Sequence, residues 1–390
     1  MRQEVGMGRG RRYVLWGCFC LVSLIGLSAV AAGLVCFRFW LFLRLPPSVQ
    51  PGVRWVEVRP GMGAMGIARL LRENGVVADA VQFRVLCWIR KGDQKLKAGE
   101  YAFSTLLTPE QVLDHLVHGR VFLHRLTIPE GSTLRDTARI IGEKHLASPD
   151  EVLRLSADPD FVRSLGLDSP SLEGYLYPDT YLLPRSSTAS SILKAMVQQF
   201  RTRFPEEWKD RVSQSGLSVR EVVILASMVE KEAVVDAERP VIAAVFFNRL
   251  KLGMPLQSDP TAVYDLDGFT GPITSAHLKR ASPYNTYVNV GLPPGPICSP
   301  GSKSIKAVLY PEKVDHLYFV SNQDGTHHFS TTLGEHNEAV SRYLRKLKES
   351  RKQDGPESRA KTPSEQESVP GDSKPATGPN KEPDRKKRSP

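Results

Sequence analysis

The sequence is poor in cysteine, with five in 390 residues. Three of them fall in an apolar segment near the N-terminus, which leaves Cys87 and Cys298 for the rest of the chain. These two are far apart and form no CxxC pair, so nothing indicates a disulfide-dependent fold or a thiolate metal site. The sequence leaves open whether the two cysteines pair.

Metal-ligand patterns are also missing. No pair among His277, His316, His327, His328 and His336 forms an HExxH arrangement, and their spacings do not recur as ligand pairs usually do. We therefore expect surface or structural histidines, no metal site and no cofactor.

A nucleic-acid partner is excluded by the way the charge is distributed. The formal net charge is +10, but residues 1–12 contribute +3 and residues 349–390 contribute +2. The remaining body carries no basic stripe that interleaves aromatic residues. A mildly basic surface of this kind suits an anionic polymer or lipid head groups.

Aromatic residues are absent after Lys348, where Pro, Ser, Lys and Glu dominate and Val369 is the largest apolar side chain. Such a segment cannot bury enough surface to offset the entropy of ordering. Residues 349–390 are therefore predicted to be a disordered, charged tail.

The N-terminal segment from Tyr13 to Phe37 contains no charge and is long enough to cross a bilayer as a helix. Because Arg9, Arg11 and Arg12 precede it, residues 1–12 are predicted to be cytoplasmic, and the bulk of the chain extracytoplasmic or periplasmic. A cleaved signal peptide is the competing interpretation, but the apolar run is long for one. We expect an uncleaved, single-pass anchor at residues 13–37 in the cell (inner) membrane.

Two related β-α units follow a proline-rich linker at residues 38–52. Each has a strand, a glycine-containing turn and a helix, with turns RPGMG at 59–63 and IPEGST at 128–133. Such units resemble LysM modules, which bind glycans that contain N-acetylglucosamine. Residues 53–150 are predicted to be a LysM-like module, with glycan contact and simple packing both open.

An apolar helix predicted over Ser218–Val235 carries Glu230 and Glu232 near its end, with Ser218 and Glu221 as a capping box. Two residues apart on a helix, the two side chains point roughly 200° away from one another, so they cannot share one pocket. One is expected to be catalytic, because a buried Glu with a raised pKa suits a general acid. The other is expected to cap, pair or face solvent.

Three sequence blocks resemble the endolytic murein transglycosylase (YceG-like) family: LEGYLYPDTY at 172–181, ASMVEKEA to QSDPT within 226–261, and SPYNTYVNVGLPPGPICSPG at 282–301. The similarity runs from about Val53 to about Lys348. It implies an α+β fold with a single N-terminal transmembrane helix, the LysM-like module and a mixed α+β catalytic domain at 151–348.

The resemblance also implies the site residues. The family's single catalytic glutamate falls on Glu232. The residues that fall in motifs resembling the family's substrate cleft are Glu173, Gln257, Asp259, Tyr284, Asn285 and Tyr287.

The implied activity is that of a lyase that cuts within nascent peptidoglycan strands and leaves 1,6-anhydro ends, with one Glu acting first as acid and then as base. Peptidoglycan synthases are the partners that the resemblance suggests. A muramidase-type hydrolase would need a second carboxylate, for which Glu173 or Asp259 could serve. A non-catalytic cell-wall-binding protein is the third hypothesis, which the two glutamates of the helix argue against.

Overall fold

The computed structural model describes residues 9–48, 50–322 and 324–353 of the chain. Most of the predicted tail at 349–390 and residues 1–8 of the predicted cytoplasmic N-terminus lie outside these residues. The described chain has a mixed α+β fold in which the strands form two-stranded antiparallel sheets. Contacts divide the chain into compact units 1–336 and 337–390, and the candidate site belongs to the first.

The first helix, α1 (Arg9–Arg44), contains the predicted apolar segment and continues seven residues beyond it. Its stretch Leu21–Arg44 is the one single helix in the described residues that is long and apolar enough to cross a membrane. Near its end, Phe42 is buried while Phe39 and Leu43 are half-buried against the segment that follows. Residues 38–44 of the predicted linker are thus helical.

In the first β-α unit (residues 53–118), two strands form a sheet. Two helices lie between these strands in the sequence. Its strands pair antiparallel, with Val56 opposite Tyr101. Thr108 caps the helix after the sheet and forms a capping box with Gln111, because its hydroxyl accepts the backbone N–H that the helix leaves free. The elements are β1 (Val53–Val58), α2 (Ala64–Glu73), α3 (Ala80–Ile89), β2 (Gly99–Ser104) and α4 (Pro109–His118).

The second β-α unit (residues 123–184) repeats the order of strand, helices and strand. Its first strand pairs antiparallel with its last, and Leu126 lies opposite Tyr181. The segment at 128–133 connects strand to helix as 59–63 does in the first unit. The elements are β3 (Leu123–Thr127), α5 (Leu134–Glu143), α6 (Pro149–Ser156), α7 (Pro159–Ser164) and β4 (Thr180–Pro184).

This pairing joins residues on either side of the predicted domain boundary at residue 150. Leu126 is fully buried in a cluster that includes Ile192 and Met196. The strand β4 lies within the predicted catalytic domain at 151–348, and no pairing of that domain with a strand of the module was predicted. The packing therefore favours a boundary near residue 120, and the predicted limits of the module stay a prediction.

The helix α10 (Val219–Glu232) lies in the helical region after residue 184, and its residues Val222–Val229 are all buried. It packs in one hydrophobic cluster with α11 (Arg239–Lys251) and α13 (Ser302–Leu309). The helix ends at Glu232, earlier than the predicted Val235, because Ala233 adopts extended backbone at φ −82° and ψ 121°. The elements are α8 (Ala189–Arg203), α9 (Glu206–Ser215), α10 (Val219–Glu232), α11 (Arg239–Lys251), α12 (Ser275–Leu278), α13 (Ser302–Leu309), β5 (Tyr318–Ser321), β6 (His327–Ser330) and α14 (Leu333–Gln353).

If the second unit shares its core with the helices after residue 184, removing one side chain from β3 should weaken the whole assembly. Leu126→Ala should lower the free energy of unfolding by about 2 to 5 kcal/mol, because it opens a cavity in a packed core. Leu182→Ala on the paired strand is the control, since that side chain is 61% exposed and should change it by less than about 0.5 kcal/mol. Denaturant unfolding measures both, and equal effects would contradict the shared core.

Candidate active site

The helix α10 brings two carboxylates to its C-terminal turn. It begins with the predicted capping box, in which the Ser218 N–H donates to Glu221 Oε2 at 2.7 Å and the Glu221 N–H donates to Ser218 Oγ at 3.2 Å. Its apolar middle is buried, so the helix is fixed in the core. Glu230 and Glu232 are therefore presented from a rigid support and, as the helical spacing predicts, contact different partners.

Glu230 lies in a buried ion pair. Its Oε1 accepts from Arg239 Nη1 at 3.1 Å, and the two side chains are 6% and 8% exposed. Its Oε2 accepts the backbone N–H of Gly301 at 2.9 Å. Arg239 also donates to Asp236 and Ser304. Glu230 thus ties the end of α10 to α11 and to the start of α13.

Glu232 is half-buried and has a neutral partner instead. Its Oε1 accepts from the Ser258 hydroxyl at 2.5 Å. Burial raises the pKa of Glu232 to about 7; the hydrogen bond from Ser258 opposes this rise, and the nearby charge of Asp259 adds to it. A carboxyl group with this pKa can hold a proton near neutral pH and also release it.

Ser258 is held in place by a network of buried hydroxyl groups. Its N–H donates to Thr286 Oγ1 at 3.0 Å, and its carbonyl accepts from Thr261 Oγ1 at 2.6 Å. The two threonine hydroxyls are themselves 2.8 Å apart. The sequence pointed to the loop that contains Ser258 and Thr261 but not to these hydroxyls, because only the fold brings Thr286 beside them.

Three of the predicted cleft residues surround this network. The Tyr287 hydroxyl donates to Asp259, and the pKa of Tyr287 is raised by burial, by Asp259 and by the charge of Glu232. Gln257 has a left-handed backbone at φ 53°, and its N–H donates to the Thr286 carbonyl at 3.1 Å. The structure thus brings Asp259, Tyr287 and Gln257 to the neighbourhood of Glu232.

Arg249 shapes this region and was not predicted. It is 6% exposed, and it donates to the carbonyls of Leu256 at 3.0 Å and Leu317 at 2.6 Å and to Gln257 Oε1 at 3.0 Å. Its planar guanidinium group carries several N–H donors that point in different directions, so it suits acceptors that lie on different sides of it. Arg249 therefore fixes the turn that precedes Ser258.

Glu173 belongs to a different group of residues. Its carboxylate accepts the N–H of Leu134, the first residue of α5, at 3.1 and 3.0 Å, and the Tyr264 hydroxyl at 2.8 Å. Burial raises its pKa to about 7, against the effect of these donors. Tyr284 packs its ring 4.7 Å from that of Tyr264. Across the described residues, no hydrogen bond joins Glu173 to Glu232.

The loop of Glu173 depends on the next residue. Gly174 has a φ of +85°, and a Cβ built there would lie 2.6 Å from Pro296 and 2.8 Å from Val223. Glycine is required at this position for both reasons. The close packing sets where the Glu173 carboxylate lies relative to α5.

Asn285 is fully buried, and its amide group is used by the protein itself. Its Nδ2 donates to the carbonyls of His277, Leu278 and Arg280 at 3.3, 3.1 and 2.8 Å, and its Oδ1 accepts the Tyr287 N–H at 3.0 Å. These contacts favour a role in holding the loop. A direct contact of Asn285 with substrate stays a prediction.

Both cysteines outside the apolar segment are buried free thiols. The thiol of Cys298 donates to the Ser227 carbonyl at 3.3 Å, and burial raises its pKa. In the parts of the chain that the structure describes, no three His, Cys, Asp or Glu side chains are grouped so that they could hold a metal ion.

Comparison with known proteins identifies the family. The chain belongs to the YceG-like family, whose sequence profile matches residues 56–342. A protein of Bacillus subtilis (strain 168) named endolytic murein transglycosylase is 33% identical over 305 residues, which are 74% of this chain and 84% of that protein.

A protein with the same name from Streptococcus pneumoniae (strain D39) is 29% identical over 321 residues, and the match spans only 58% of that protein's length. A crystal structure of a YceG-like protein from Listeria monocytogenes is 35% identical with a TM-score of 0.52, covering 73% of this chain and 98% of that one.

The two glutamates of α10 should respond differently to loss of charge. Glu230→Gln leaves the buried Arg239 without its closest buried counter-charge, so it should lower the free energy of unfolding by about 3 to 5 kcal/mol. Glu206→Gln, which removes an exposed pair with Lys209, is the control and should cost less than about 1 kcal/mol. Chemical denaturation distinguishes them; an unchanged stability in Glu230→Gln would show that the ion pair is not what holds the helix end.

Proposed function

We propose that this protein is a membrane-anchored lytic transglycosylase that cleaves the bond between N-acetylmuramic acid and N-acetylglucosamine within peptidoglycan strands. The observation that carries the proposal is the carboxyl group of Glu232. It stands at the end of a buried helix, it has a neutral hydroxyl as partner, and burial raises its pKa to about 7. Family membership and the names of the relatives support the reaction class.

In the proposed mechanism, one carboxyl group is used twice. Because the Ser258 hydroxyl occupies Oε1, the proton is carried on Oε2, which donates it to the glycosidic oxygen as the bond to C1 of the muramic residue breaks. The resulting carboxylate then takes the proton of the C6 hydroxyl as O6 bonds to C1. The product is a 1,6-anhydro end, and no water is consumed.

A hydrolase is the second candidate, and one observation favours it: the charge of Asp259 acts on Glu232. A hydrolase needs a second carboxylate as nucleophile or to activate water. Asp259 is better placed for this than Glu173, whose oxygens are held by Leu134 and Tyr264. The chemical nature of the new ends separates the two candidates.

The anchor, the binding region and the partner belong to the same proposal. The helix α1 would hold the protein in the cell membrane with the catalytic region outside the cytoplasm, where peptidoglycan is made. Residues 53–150 would contact the glycan as a LysM-like module. Peptidoglycan synthases are the proposed partners, because an enzyme that cuts nascent strands must meet them where they are polymerised.

The assignment of the acid can be tested by an isosteric change. Glu232→Gln keeps the shape but cannot transfer the proton, so cleavage of purified glycan strands should fall by about 10² to 10⁴-fold. Asp259→Asn should retain the reaction, since the proposed mechanism uses no second carboxylate. Mass spectrometry of the products should find 1,6-anhydro ends; reducing ends together with an inactive Asp259→Asn would establish the hydrolase instead.

The role of Ser258 predicts a change in pH dependence. Activity needs protonated Glu232, so it should decline as the pH rises through about 7. Ser258→Ala removes a donor that favours the charged carboxylate, so the pKa should rise and the decline should move to higher pH.

The pH–rate profile of kcat measures this shift. The control is Ser282→Ala, which removes a buried hydroxyl that donates to Asp265 at 2.8 Å and should leave the decline where it is. If the activity of Ser258→Ala declines at the same pH as that of the unaltered protein, the Ser258 hydroxyl does not act on the catalytic acid.

A further inference from the structure

The side chain of Gln257 is exposed at the edge of the candidate active site, and the two polar atoms of its amide have different surroundings. The oxygen, Oε1, accepts a hydrogen bond from Arg249 Nη1 at 3.0 Å. In the described residues, no protein group accepts a hydrogen bond from the nitrogen, Nε2. The amide nitrogen therefore keeps two N–H donors for a bound molecule.

Arg249 determines which atom of this amide faces outward. A guanidinium group donates hydrogen bonds and accepts none, so the amide oxygen must face Arg249 and the amide nitrogen must face away from it. Arg249 is buried, and its other acceptors in the described residues are backbone carbonyl groups. Because a hydrogen bond from a charged donor is stronger than one between neutral groups, the Gln257 amide is held in one orientation.

The backbone of Gln257 also indicates that a side chain is needed at this position. Its φ of 53° lies in the left-handed region, which glycine adopts freely and other residues adopt at a cost in free energy. The chain thus keeps a strained residue where a glycine would remove the strain. Strain of this kind is concentrated at functional sites.

Contacts on both sides of Gln257 place its amide beside the candidate acid. The next residue is Ser258, whose hydroxyl donates to Glu232 at 2.5 Å. Burial is the largest cause of the raised pKa of Tyr287, the charge of Glu232 raises this pKa further, and the charge of Arg249 lowers it. The Tyr287 hydroxyl therefore lies within reach of both charges. A sugar whose glycosidic oxygen meets Glu232 then lies beside the Gln257 amide.

We propose that Gln257 recognises the N-acetyl groups of the glycan, with its Nε2 donating to the carbonyl oxygen of an acetamido group on a sugar next to the cleaved bond. The inference rests on the proposed function and adds the residue that distinguishes N-acetylated sugars from sugars with a free amine. An acetamido oxygen accepts hydrogen bonds, whereas the ammonium group of a de-N-acetylated sugar donates them and accepts none. That ammonium group finds no acceptor at Nε2, and the charge of Arg249 repels it.

The test exchanges this donor for an acceptor. Gln257→Glu should fold, because the new carboxylate gives the buried Arg249 a counter-charge. Its outward oxygen accepts from an ammonium group and repels an acetamido oxygen. Gln214→Glu is the matched control, since Gln214 is also exposed, its Oε1 accepts from Arg211 Nη1 at 3.4 Å, and the change in net charge is the same.

Both changes are made in full-length protein that carries Glu232→Gln, so that the glycan strands stay intact during the measurement. The Kd is measured for three preparations of strands: fully N-acetylated, de-N-acetylated at glucosamine, and de-N-acetylated at muramic acid. A mildly acidic buffer keeps the free amines protonated. The parent protein with Glu232→Gln alone is the reference.

For Gln257→Glu, the Kd of one de-N-acetylated preparation relative to that of the N-acetylated preparation should fall by about 10-fold or more from the parent value. The preparation that shows this fall identifies the sugar that contacts the amide. Gln214→Glu should leave both ratios at the parent values.

Ratios in Gln257→Glu that match those of the parent would overturn the inference, and so would an equal fall in Gln214→Glu. Failure of the parent to bind any of the preparations would overturn it as well. The proposed function is judged by a different result, the formation of 1,6-anhydro ends by the protein with Glu232 intact, so each can fail without the other.

Discussion

The last turn of α10 holds two carboxylates, and they differ in the charge of the side chain that each one contacts. Glu230 faces Arg239, and this buried pair joins α10 to α11 and, through Gly301, to α13. Because removing a carboxylate from water is costly without a counter-charge, this pair compensates the burial of Glu230 at the helix end. Glu232, two residues on, is then held by a neutral hydroxyl in a position that the ion pair has already fixed.

Features that involve residues close together in the sequence could be predicted. Contacts between residues far apart in the sequence could not. The capping box of Ser218 and Glu221 involves residues three apart, so the start of α10 was predicted correctly. The pairing of β3 with β4 joins Leu126 to Tyr181, and no local signal marks a partner so far away. For the same reason the sequence pointed to the loop of Ser258 but could not show which of its side chains reaches Glu232.

Burying two acids makes the stability of the fold depend on pH. Glu173 and Glu232 both have pKa values raised from an ordinary 4.5 to about 7, so the folded chain binds more protons than the unfolded chain between these values. Their contribution is fully present below about pH 4.5 and is lost as the pH rises to about 7. The protein therefore gives up some stability at neutral pH to keep a proton on its candidate acid.

The packing around Gly174 limits how this sequence can diverge over evolutionary time. Its positive φ and its closeness to Pro296 and Val223 leave no space for any side chain. A change there would displace the loop that places Glu173 against α5, so compensation would need simultaneous changes in three separate segments. Substitutions are therefore tolerated far better in the exposed loops of the molecule than at this glycine.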